Sequence, residues 1–131
     1  MTRFVQLCSQ MEGFGKPNAL PTKDHNPMDL RHSPHSSHAG EGPNGIGEID
    51  SDVHGFADAE RQARIWAERG LTLQQAIEEQ TGWTPPTPAN PTGEVDGNDT
   101  ANYLAVVVHG FNGAVTADTP MTEVLTIPSL A

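Results

Sequence analysis

Apolar residues at Phe4, Leu7, Cys8 and Met11 follow the i, i+3, i+4, i+7 spacing of one helix face, and Gly13 and Gly15 close that segment. A second helix is predicted from Ala57 to Arg69. There Phe56, Ala59, Ala63 and Trp66 form an apolar stripe, with Asp58 and Glu60 at the start and Arg69 at the end in the order the helix dipole favours. Gly70 ends it. Thr72 followed by Gln75 is a capping-box pattern, and Leu73, Ala76 and Ile77 line one face as far as Gly82, so a short third helix follows at once. The run from Tyr103 to His109 reads two ways. Its β-branched content suits a strand, whereas the cap-forming Asn98, Asp99 and Thr100 before it, Gly110 after it and the Tyr103, Val106, Val107 spacing suit a helix, which is the expectation adopted. A last helical turn is expected from Met121 to Leu125.

Two regions lack such periodicity. Residues 13–55 carry prolines, glycines and a His/Ser cluster, and residues 82–98 form a Pro-rich loop. Loops of this length in a compact domain are commonly functional or disordered. The pattern predicts one domain over 1–131, mainly α, with long irregular loops.

Composition sharpens this picture. In 131 residues only 35% are hydrophobic and 5% aromatic, while Gly and Pro number 13 and 11, so the core must be small. The formal charge is −10. All seven basic residues fall at or before Arg69, and seven acids follow Gly70 without a Lys or Arg. An acidic surface repels phosphate, which argues against nucleic acid and anionic membranes as partners. No apolar run approaches the ~18 residues of a membrane span, and the first ten residues are too short and polar for a signal peptide, so synthesis in a reducing cytoplasm is expected. Cys8 is the one cysteine, which excludes an internal disulfide framework and a thiolate-rich zinc cluster. Its neighbours Phe4, Leu7 and Met11 predict a buried, inert thiol.

Few residues stand out for chemistry. Glu12 ends an apolar helix between Met11 and Phe14. Partial burial there would make it a proton donor near neutrality, and full exposure would leave an ordinary helix-end carboxylate. His32, His35 and His38 lie three apart, but Pro34 and the intervening serines oppose a helix that would align them. A polar surface loop is expected rather than a metal site.

The order of short segments carries more than any one of them. Met11-Glu12-Gly13-Phe14-Gly15 is followed by His25-Asn26-Pro27-Met28-Asp29-Leu30-Arg31, Gly55-Phe56-Ala57, Arg69-Gly70-Leu71-Thr72, Pro85-Pro86 and Asn98 to Leu104. Gly113 and Asp118-Thr119-Pro120-Met121 close the series. In number and order these resemble the motifs of small phage and prophage peptidoglycan-degrading proteins of the lysozyme-like, lytic transglycosylase fold, across nearly the whole chain. The resemblance implies a small lysozyme-like helical domain in which Glu12 is the catalytic acid/base. Glu12 would protonate the glycosidic oxygen between N-acetylmuramic acid and N-acetylglucosamine. It would then take a proton from the muramoyl C6 hydroxyl, giving a 1,6-anhydro product, or from water, as a muramidase does.

Further assignments follow from the same resemblance. Asn26 and Arg31 match the family loop and suit the N-acetyl and lactyl carboxylate groups, or else pin the loop. Tyr103 matches the family's helix tyrosine and would lie near the sugar or in the core. Apart from the resemblance, Trp66 and Trp83 read as core or cleft-edge residues, with sugar stacking a further role open to Trp83. A second carboxylate is open among Asp24, Asp29 and Asp99. The loop departs from the family at His25, Met28 and Asp29, where two asparagines and a glycine would stand. No cofactor and no metal are implied. The implied partners are peptidoglycan glycan strands and other virion proteins, and the place of action is the cell wall. Two other readings stay open: a non-catalytic virion or glycan-binding protein of the same fold, and a small acidic protein that mimics a polyanion. Because murein is itself anionic, the charge of −10 predicts either a preference for acidic pH, where the five histidines before residue 55 gain charge, or recognition by hydrogen bonds and shape.

Overall fold

A computed structural model describes residues 1–37 and 45–130. Six helices and one minimal hairpin make up the described elements: α1 (Arg3–Glu12), α2 (Leu20–Lys23), β1 (Ser36–Ser37), β2 (Glu48–Ile49), α3 (Asp52–Glu68), α4 (Leu73–Thr81), α5 (Thr100–Gly110) and α6 (Met121–Val124). The domain is mainly α, as its periodicity predicts. Among the described residues no helix is long and apolar enough to cross a membrane.

Local chemistry explains the ends of the long helices. Thr2 caps α1 by accepting from the Val5 N–H, and Gly13 ends it in the left-handed region at φ 87°. The Thr72 and Gln75 capping box forms in full at α4, and Gly82 ends that helix at φ 73°. The 103–109 run is helical because Asp99 accepts from the Asn102 N–H and so settles the direction of the chain before the valines. Tyr103 and Val107, one turn apart, then face the core.

α1 packs against α3 and α5, α3 against α6, and α4 against both α5 and α6. One core joins Phe4, Val5 and Cys8 of α1 to Ala63 and Trp66 of α3, Leu73 and Ile77 of α4, and Val107, Phe111, Met121 and Val124. The rings of Phe4 and Trp66 meet edge to face at 6.3 Å. Cys8 is fully buried, and desolvation pushes its thiol far above the ordinary range, so it is an inert core residue. The ends of the chain lie side by side, with the Arg3 N–H on the Ile127 carbonyl at 3.0 Å and the Ser129 N–H on that of Met1 at 3.0 Å.

Two sequence expectations are corrected. α3 begins at Asp52 under a Ser51 cap, five residues before the predicted Ala57. Its first turn contains Gly55, a poor helix former in isolation. Gly55 stands where α3 meets the early loop, and a Cβ there would strike the His25 carbonyl and approach Pro27 Cδ to 2.9 Å. The region 13–55 is also less irregular than expected, since it holds α2, the β1–β2 pair and the start of α3. The 82–98 loop contains no helix or strand and is folded on itself by bonds such as Thr84 N–H to Gly93 O at 3.0 Å.

Gly55→Ala should therefore destabilise the domain by about 1–3 kcal/mol, the usual cost of overpacking, although alanine is the better helix former. A thermal or urea melt against the wild type checks this. An equal or raised stability would show that the loop and α3 are not in close contact.

Candidate functional site

The loop and the helices enclose a groove of about 1030 Å³. Glu12 enters it from the end of α1, Leu20 from α2, Met28 to His32 from the loop after α2, and Gln62, Trp66 and Arg69 from α3 and its C-cap. Glu79 to Gly82 come from the end of α4, and Val95, Asp96 and Asn98 from the Pro-rich loop.

The loop facing α1 is held by Asn26. Its side-chain amide donates to the carbonyls of Leu30 (2.8 Å) and Gly47 (2.9 Å), and its side-chain oxygen accepts from the Leu30 N–H (2.9 Å). With 1% exposure and its polar atoms bonded internally, Asn26 pins the loop and has no free face toward the groove. Of the two roles open for Asn26, the structural one is realised. Pro27 and Met28 are buried beside it, and Asp29 follows at φ 52°, a left-handed conformation that Asp tolerates better than most residues.

Asp29 and Glu12 line the same groove, and Gln80 bonds both Glu12 and the Met28 carbonyl that precedes Asp29, so the two carboxyl groups lie close enough to interact. Asp29 Oδ1 is buried and has no donor among the described residues. Two carboxylates are both acceptors, so the contact becomes a hydrogen bond only when one of them carries a proton. Burial, the Glu12 charge, the hydrogen bond to Glu12 and the nearby Asp24 together push the Asp29 carboxyl up to about 7. Asp24 is itself raised by burial and by Glu48. The Gln80 amide donates to the Met28 carbonyl at 2.7 Å and to Glu12 Oε2 at 3.3 Å, tying α4 to both partners of the pair. Beneath Glu12 the Tyr103 hydroxyl reaches the Cys8 carbonyl at 3.4 Å, and desolvation pushes it well above the ordinary tyrosine range.

The other residues singled out by sequence separate into groups. Arg31 lies on the groove wall, 3.7 Å from Asp96, and Arg69 lies 3.1 Å from Glu79. Tyr103 is buried in the core, not on the groove surface. Trp83 lines a neighbouring depression with Leu71, Gln75 and Glu78, and its indole N–H donates to the Thr92 carbonyl at 3.1 Å. Asp99 is an exposed N-cap and does not reach the pair. In the histidine row, His32 edges the groove, while His35 stacks on His54 at 4.0 Å and bonds the buried Asp58 at 2.6 Å. His38 lies outside the described residues. Among the described residues no three His, Cys, Asp or Glu side chains converge on one point as a metal site.

Sequence reasoning missed Gln80, Gln62 and Arg69, whereas Trp66, read as core or cleft edge, is both buried and part of the groove wall. No local pattern marks Gln80, whose two partners lie 52 and 68 residues away in the chain. Comparison with protein-family models, curated proteins and solved structures finds no match to this chain.

A carboxyl raised in the folded state stabilises the fold fully below its unfolded value near 4, and that contribution is lost as pH rises through about 7. Asp29→Asn should therefore gain on the wild type as pH climbs from 4 to 7.5. Partial exposure limits the final advantage to about 1–2 kcal/mol. Paired thermal melts across that range read the difference, and a constant difference would mean that the two carboxyl groups do not interact.

Proposed function

We propose that this protein cleaves the glycan backbone of peptidoglycan with Glu12 as acid/base, on a lysozyme-like helical scaffold. The observation that carries the reading is the Glu12 carboxyl group at the end of α1, facing a groove of about 1030 Å³. That volume is at the top of the ~300–1,000 Å³ range of small-ligand pockets and suits an oligomeric ligand better than a single sugar. The order of motifs around Glu12 supplies the substrate class, and the groove walls supply amide and guanidinium donors, Gln62, Arg31 and Arg69, for N-acetyl and carboxylate groups.

Among the routes open to a single glutamate, the geometry favours anhydro-ring formation. Two-carboxylate glycosidases hold their carboxyl groups about 5–5.5 Å or 6.5–9.5 Å apart, on either side of the sugar. In this site Glu12 and Asp29 are neighbours whose segments are tied together by Gln80, and they interact directly rather than across a bound sugar. Asp29 thus lies beside the acid and not opposite it, and Asp99 is away from the groove. Glu12 as the acid protonates the leaving oxygen. As a carboxylate it then takes the C6 hydroxyl proton while O6 closes on C1.

A glycan-binding protein without chemistry is the second reading. It is favoured by the loop, where Met28 is buried and Asn26 is fully engaged with backbone, so that the matched positions offer less to a sugar than the family pattern implies.

Glu12→Gln should lower the rate on purified murein by about 10²–10⁴-fold, the usual contribution of a general acid. Mass spectrometry of the products should show anhydromuramoyl ends for the wild type. Undiminished activity in this variant would remove Glu12 from the mechanism. Binding of murein without any product, in either protein, would favour the second reading.

A further inference from the structure

We propose that Asp29 is the proton partner of Glu12: the two carboxyl groups share one proton, which Asp29 holds and passes to Glu12 as the leaving group departs. This rests on the glycan-cleaving reading for its consequence in catalysis, but the shared proton itself is a property of the pair.

Three geometric facts carry it. Asp29 Oδ1 is buried with no donor among the described residues, and the neighbouring carboxyl group is that of Glu12. The backbone at Asp29 is left-handed, at φ 52°, with its N–H on the Asn26 carbonyl at 3.1 Å, so the turn that carries Asp29 into the groove shared with Glu12 is fixed. Gln80, bonded to both Glu12 and the carbonyl preceding Asp29, keeps the two groups from separating. A pair of carboxylates this close is electrostatically unfavourable with no proton and mutually satisfied with one.

The surroundings reinforce the proton rather than replace it. Asp24, from the turn after α2, adds negative charge, and Tyr103 of α5 stays a neutral donor beneath Glu12. Of the groove arginines, Arg31 lies near Asp96 and Arg69 near Glu79. Burial and the Glu12 charge hold the Asp29 proton up to about 7.

In the reaction the balance is simple. The C1–O4 bond breaks as the Asp29 proton passes to Glu12 and on from Glu12 to O4, which leaves both carboxyl groups ionised. Closure of O6 on C1 then releases the hydroxyl proton, which returns to the pair. The pair ends with the one proton it began with, and no outside acid is consumed.

The test combines carboxyl-carbon NMR titration with pH–rate profiles on murein for wild type, Asp29→Asn and Glu12→Gln. Asn tolerates the left-handed backbone and keeps the shape of the side chain. In the wild type one carboxyl should titrate near pH 7, and that signal should be absent in Asp29→Asn and shifted acidward by at least one pH unit in Glu12→Gln. The alkaline fall of the rate should move acidward by one unit or more in Asp29→Asn, so that its loss relative to wild type is at least ten times larger at pH 7 than at pH 5. If no carboxyl titrates above about pH 5.5, or if Asp29→Asn keeps the wild-type profile, the proposal is overturned. If the titration behaves as expected and murein is untouched by the wild type, the proton-sharing pair stands and the glycan-cleaving reading falls.

Discussion

Everything in the groove depends on one turn being held where it would not stay by itself. The chain from His25 to Leu30 adopts left-handed conformations at two non-glycine positions, His25 and Asp29, and it brings an acid up against another acid. Both features oppose folding, by roughly 1–3 kcal/mol for a strained backbone position and more for an uncompensated buried charge. What opposes them is the Asn26 amide, buried and bonded to two carbonyls and one N–H, together with Met28 and Leu30 in the core. Gly55 lets α3 come close enough to lie against that turn. Remove either support and the turn has reason to relax, because movement would relieve the strained backbone and, once the pair has lost its proton, the repulsion between Glu12 and Asp29.

The same logic orders the rest of the early region. His25 bonds Asp52 at 2.7 Å, His54 bonds Asp50 at 2.6 Å and His35 bonds Asp58 at 2.6 Å, so three imidazole–carboxylate contacts gather around the first turns of α3. Two of them, with partners 43–69% exposed, are of the kind that adds little stability alone. Asp58 is different, being 2% exposed and bonded by both the backbone N–H and the ring of His35. That buried anchor is a better candidate for holding the loop than the exposed pairs beside it, since an unpaired Asp58 would be costly.

The helices were legible because their signals are local. The Thr72–Gln75 box, the glycines that end α1 and α4, and the stripe through Ala59, Ala63 and Trp66 each lie within one or two turns of chain. The start of α3 was not legible, because Gly55 reads as a helix breaker until the backbone it approaches is known. At the site, Glu12 was visible by its place at the end of an apolar helix, and Asp29 only as one of three equivalent acids. What separates Asp29 from Asp24 and Asp99 is a loop pinned by Asn26 and an amide from Gln80, contacts that span 21 to 68 residues. Periodicity cannot report contacts of that range.

The charge of −10 also takes a different meaning once the groove is built. An anionic protein facing an anionic polymer gains nothing from long-range attraction, so close contacts must provide the affinity. Two arginines in the groove do not reverse this, because Asp96 and Glu79 already accompany them. A donor that carries no net charge, such as Gln62, suits N-acetyl groups without that competition. The acid pair completes the argument: a groove in a field this negative keeps protons more readily than water does. The excess of acid that would hinder long-range capture of an anionic glycan, under the proposed function, is therefore the same feature that favours a protonated carboxyl in the groove.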